Sequence, residues 1–66
     1  MRNLNMRQKK MLTKMVDQGI TLTWDMTNDQ YNEIESVNPH ETFGSNADRF
    51  MTDLFNERKY NDHQRN

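Results

Sequence analysis

The side chains best able to hold a transition metal are His40, Glu41 and His63, because imidazole and carboxylate are ordinary zinc ligands. Their placement argues against a site. One histidine falls in a loop between Pro39 and Gly44, the other in a polar terminal stretch, so nothing preorganises them. The run Asp25-Met26-Thr27-Asn28-Asp29 loosely follows the opening of a calcium loop, D-x-[DN]-x-[DN]. It departs where calcium is most demanding. Gln30 takes the glycine position and Ser36 the position of the bidentate glutamate. Helix capping explains the Asp25–Asp29 cluster better. With no cysteine, thiolate zinc sites, thiol nucleophiles and disulfides are excluded. Gly19 and Gly44 stand alone, so no phosphate-cradling loop is present, and the two serines read as helix-associated polar residues. A chain of 66 residues has little volume for a pocket of ~300 Å³. No catalytic, cofactor-binding or metal-binding residue is expected, nor a small-molecule substrate. The reading is of a protein that is not an enzyme.

Two groups of residues remain that could bind a macromolecule. Arg7, Lys10 and Lys14, with Arg2 and Lys9 nearby, form a row of cations of the kind that contacts phosphate backbones. The ordinary alternative is a solvated helix face. A pI of about 6.0 and an acidic middle weaken the nucleic-acid reading, and the helix after the first turn carries Asp29, Glu33 and Glu35, a poor major-groove reader. If nucleic acid binds, the first helix does it without base specificity. The second group is apolar: Trp24, Tyr31, Phe43, Phe50, Phe55 and six methionines in a short polar chain. Most must be core. Three short helices cannot hide all of them, however, and Trp, Tyr and Met are typical of contact surfaces. The expected protein-binding surface comprises Trp24 and Tyr31, the acidic residues Asp29, Glu33 and Glu35, and an exposed Met6.

The bulk numbers set the frame for these sites. One domain fits in 66 residues, and its core alone supplies no more than about 3–5 kcal/mol, so a partner is one route to stability. Apolar content of 32% places the chain near the edge of independent folding. The net charge of −1 hides an asymmetry: +5 over residues 1–16, −7 over 17–53 and +1 over 54–66. Such a dipolar chain can be steered by either end. No apolar run is long enough to span a bilayer, and the basic N-terminus is followed by no apolar h-region, so a soluble, cytoplasmic chain is expected, without membrane contact.

Three helices must position these residues. Residues 5–18 read as the first, capped by Asn3 or Asn5 and ended by Gly19, with Leu4, Met11, Leu12, Met15 and Val16 on one face. Ile20, Leu22 and Trp24 alternate with Thr21 and Thr23, a period-2 signal with no partner strand elsewhere. Residues 20–24 are therefore expected to be an extended linker whose apolar side chains plug the gap between helices. The alternative is an edge strand completed by another molecule. Thr27-Asn28-Asp29-Gln30 is a capping box, and Met26 and Tyr31 stand at the positions of a hydrophobic staple, so a second helix starts at Thr27 and stops before Pro39. His40 to Gly44 read as a loop from which Phe43 folds back. Ser45 with Asp48 has capping-box spacing, and the third helix is expected from about Asn46 to Lys59, with Ala47, Phe50, Met51, Leu54 and Phe55 inward and an Arg49–Asp53 pair outside. Residues 61–66 read as a disordered polar tail after a single domain, 1–60.

A compact, cysteine-free, Asn- and Met-rich chain of this length resembles the small accessory proteins encoded by phages and mobile elements. The resemblance rests on composition and size and assigns no residue roles. The sequence thus implies an all-α, three-helix protein that binds another protein or itself, as an inhibitor, an adaptor or a minor component of a larger assembly. The alternative is a nucleic-acid-binding accessory protein using Arg7, Lys10 and Lys14.

Overall fold

The computed structural model describes residues 4–65, with side chains described through Tyr60. It is an all-α fold of three helices with a short non-helical linker between the first two. The helices are α1, Met6–Asp17, α2, Asn28–Glu35, and α3, Phe43–Arg65. A single 3-10 turn, Thr23–Asp25, interrupts the linker. No strand occurs among the described residues, and none of their helices is long and apolar enough to cross a membrane.

Each helix starts where a side chain can satisfy an orphan amide. In α1, the Asn5 side chain accepts from the Gln8 backbone N–H at 2.8 Å, and the Gln8 side chain accepts from the Asn5 N–H at 3.1 Å. Gly19 ends it at φ +94°, a backbone conformation that costs side-chain-bearing residues strain. In α2, the Thr27 hydroxyl accepts from the Gln30 N–H and the Gln30 side chain accepts from the Thr27 N–H, so the expected capping box forms in both directions. Beyond Glu35 the chain tightens into i→i+3 bonds, Val37 to Ile34 and Asn38 to Glu35, before Pro39.

The third helix begins earlier than its sequence suggests. Phe43, expected in a loop, sits in its first turn and is fully enclosed. Its ring meets Tyr31 edge-on, with centroids 5.2 Å apart. His40 and Thr42 make the start feasible. The Thr42 carbonyl accepts from the Asn46 N–H at 3.0 Å, and His40 Nδ1 accepts from the Thr42 N–H at 3.3 Å. Ser45 and Asp48 therefore do not form a capping box. Burial of one large aromatic ring, worth about 1.5–3 kcal/mol, outweighs the weak helix preference of Gly44 and Ser45. The helical backbone continues through Arg65. The expected polar tail, 61–66, lies outside the residues whose side chains are described.

Leu12, Val16, Ile34, Phe43, Ala47 and Met51 form the core, with Leu4, Met11, Met15, Met26, Tyr31, Phe50 and Leu54 packed against it. The apolar face expected on α1 and the two staple positions are all in this cluster. Phe55 is not: it is 43% exposed. One polar residue joins the core. Gln8 is 1% exposed and donates from Nε2 to the Ile34 carbonyl at 3.0 Å, tying α1 to the C-terminal end of α2. An ion pair between Asp17 and Arg58 ties the end of α1 to α3. The expected Arg49–Asp53 pair does not form.

Candidate functional site

The segment Ile20–Trp24 does not plug a gap. The Ile20 N–H still closes the end of α1 by donating to the Met15 carbonyl, Leu22 is extended at φ −145° and ψ 150°, and the chain then coils into the 3-10 turn. Two contacts hold this route. Asp17 pairs with Arg58 at one end, and the Thr23 N–H donates to Asp48 Oδ1 at 2.7 Å at the other. Asp48 precedes Arg58 on α3, so the linker runs antiparallel along that helix. Its amide at Thr23 is held by a carboxylate 25 residues away, not by a strand partner.

The consequence falls on Trp24. The turn places it outward at 89% exposure, the most exposed of the large apolar side chains described. Trp is a residue that folding ordinarily encloses to a large extent. Leu22 beside it is 40% exposed. At about 100° per residue, Phe55 lies within 20° of Asp48 around α3, so it faces the same side as the linker. The turn thus presents Trp24 with exposed Asp25 next to it in the chain, and Leu22 and Phe55 leave further apolar surface exposed on the linker side of α3.

The other expected contact residues divide into separate places. Asp29 and Glu33 are exposed and share the outer face of α2, one turn apart. Asp29 lies in the first turn of α2, just after the Trp24 turn. Glu35 is half-buried and lies on a different flank, about 200° from Glu33. Tyr31 is half-buried with its ring against Phe43, and its hydroxyl stands 3.2 Å from where a Cβ on Gly44 would be. Met6 is 68% exposed but sits by the opposite end of α2, since neighbouring Gln8 bonds Ile34. Trp24 and Asp25 on the turn and Asp29 at the start of α2 are all exposed and lie within six residues of chain, an acidic-aromatic corner, whereas Met6 is on α1 and Tyr31 and Glu35 are half-buried. Asp25 and Asp48 are the residues that sequence reasoning left out. Asp25 could have been read from its position beside Trp24, whereas the role of Asp48 depends on a tertiary contact.

On α1, Arg7, Lys10 and Lys14 are exposed on one face, opposite Leu12 and Val16. None is in an ion pair among the described residues. Lys9 leaves that stripe. With Leu4 it joins Asn46, Arg49, Phe50 and Asp53 of α3 around an open groove of about 240 Å³. No three His, Cys, Asp or Glu side chains among the described residues stand close enough to share a metal ion. His40 is engaged locally, its Nδ1 2.7 Å from the Thr42 hydroxyl. No family model, no curated protein and no solved structure matches this chain.

Proposed function

We propose that this is a non-enzymatic accessory protein that acts in the cytoplasm by stoichiometric binding to a protein partner, either another protein or a second copy of itself, through the Trp24 corner. One observation carries the reading: the only Trp in the chain is held outward at 89% exposure on a turn that is itself anchored through Asp48. An indole kept in water gives up burial worth at least about 1.5–3 kcal/mol. A protein with a core this small regains that only when a partner covers the ring. Trp is also among the residue types most enriched in interface hot spots, where truncation costs about 2 kcal/mol or more. Exposed Asp25 and Asp29 follow Trp24 in the chain, so the fitting partner surface is an apolar pocket with cations at its edge. The resemblance in size and composition to phage and mobile-element accessory proteins supports a role as inhibitor, adaptor or minor assembly component.

The test compares wild-type and Trp24→Ala protein in affinity capture from a lysate of the source cells. The substitution should abolish capture while leaving the helical circular dichroism unchanged. Equal capture by both would remove the Trp24 corner from the binding surface.

A second reading has its own observation, the unpaired stripe of Arg7, Lys10 and Lys14. On that reading the chain retards DNA or RNA in a salt-sensitive, sequence-independent way, and the triple alanine variant does not. Three phosphate contacts give a shallow salt slope of about −3 in log–log form. An absence of retardation by wild type at about 50 mM salt, where phosphate contacts are strong, would eliminate it.

A further inference from the structure

We propose that the partner of the Trp24 corner is the groove of a second copy of this chain, so that molecules join head to tail. This rests on Trp24 being a contact residue and adds what it contacts. The groove bounded by Leu4, Lys9, Asn46, Arg49, Phe50 and Asp53 has a volume of about 240 Å³. That is below the ~300 Å³ at which small-molecule pockets begin, and it suits one large side chain. Its apolar lining is Leu4 and Phe50, both half-buried.

The polar groups match as well. Lys9 and Arg49 are exposed cations at the groove and neither is in an ion pair. The inserting turn carries exposed Asp25 next to Trp24 in the chain, and exposed Asp29 follows in the first turn of α2. A buried indole N–H needs an acceptor. Asp53 supplies a carboxylate, and Asn46, whose amide nitrogen donates to the Thr42 hydroxyl, has its side-chain oxygen left to accept.

The two features cannot meet within one molecule. The Trp24 turn is fastened to Asp48, while Asn46, Arg49, Phe50 and Asp53 lie about 100–200° round α3 from Asp48. The turn and the groove are therefore on different sides of α3. They are also different surfaces, so their union is heterologous and each joined molecule leaves one turn and one groove open. A single inserted aromatic buries about 150–250 Å² of its own surface, so the contact is weak and concentration-dependent.

Sedimentation equilibrium at low salt, from micromolar concentration to about 1 mM, tests this on wild type, Trp24→Ala and Lys9→Glu/Arg49→Glu. Circular dichroism confirms that each is folded. The wild-type mass should rise with concentration and pass beyond a dimer. Each variant alone should stay monomeric. Mixed in equal amounts, the two variants should form a heterodimer and stop there, because Trp24→Ala keeps only the groove and Lys9→Glu/Arg49→Glu keeps only the turn. A monomeric wild type at about 1 mM, self-associating Trp24→Ala protein, or a mixture that stays monomeric would each overturn the proposal. Trp24-dependent capture of a different protein by a monomeric wild type would leave the protein-binding reading standing. If Trp24→Ala alters neither self-association nor capture, both readings fall.

Discussion

Replacing Gln8 with Leu keeps the bulk of the side chain and removes its polar atoms. In the native fold these atoms serve three neighbours. Nε2 donates to the Ile34 carbonyl at 3.0 Å and, at a marginal 3.5 Å, to the Asn38 carbonyl, while Oε1 accepts from the Asn5 N–H. The bond to Ile34 is buried and links elements 26 residues apart, so its loss costs about 1 kcal/mol or somewhat more. The Ile34 carbonyl keeps a 3.3 Å bond from the Val37 N–H, which prevents a complete orphan. The Asn5 half of the capping box adds about 0.5–1 kcal/mol, since water can reach that amide. The long Asn38 contact adds little. The sum is about 1.5–2.5 kcal/mol, close to half of the ~3–5 kcal/mol that a core of this size provides. Urea unfolding followed by helical circular dichroism should therefore show a midpoint lowered by roughly half, with an unchanged slope. Asn5→Ala is the control and should lose only about 1 kcal/mol, because it leaves the Ile34 bond in place. A Gln8→Leu loss below about 0.5 kcal/mol would refute the claim that this amide fastens α1 to α2.

The remaining predictions concern the linker. Gly19→Ala should cost about 1 kcal/mol in thermal or urea unfolding, all of it from the positive φ, since no atom lies within 4 Å of the added Cβ; Gly19→Asn should recover part of the loss. Asp48→Ala removes the acceptor of the Thr23 N–H and should cost about 1–2 kcal/mol, with faster hydrogen exchange at Thr23 and weaker partner binding because the Trp24 turn is no longer held. Asp17→Ala or Arg58→Ala should change stability by less than about 0.5 kcal/mol, since both side chains are substantially exposed and such pairs are screened; a double-mutant cycle measures it.

Local chemistry was readable in advance, and tertiary chemistry was not. The Thr27–Gln30 box is complete within four residues, so its sequence spacing translated directly into the observed bonds. Asn5 and Gln8 have the same N-cap-to-Gln spacing with Asn in place of Thr, a signal from which the second use of Gln8 could not be inferred. Its bond to Ile34 requires α2 to be in place. The start of α3 is later in the sequence reading because Ser45 with Asp48 has the spacing of a capping box, while the decisive term is the enclosure of Phe43 against Tyr31. The alternation of Ile20, Leu22 and Trp24 resembled burial of one strand face. The chain instead coils at Thr23 through its own Asp25-to-Leu22 and Met26-to-Thr23 backbone bonds, Asp48 anchors the Thr23 N–H, and Trp24 is exposed. The contact surface followed the same division. Asp29, Glu33, Met6 and the cationic stripe are exposed as helical periodicity implies, whereas the separation of Met6 and Tyr31 from the Trp24 corner depends on packing.

On the function proposed above, the fold holds Trp24 out for a partner. As the only Trp, it can be followed by its own fluorescence. In dilute wild-type protein the emission should match that of a solvent-exposed indole and be freely quenched by acrylamide. As protein concentration rises or a captured partner is added, it should shift to the blue and lose quenching in a saturable way. A blue, protected emission already present in the dilute monomer would contradict the claim, as would an exposed emission unchanged through saturation with the partner.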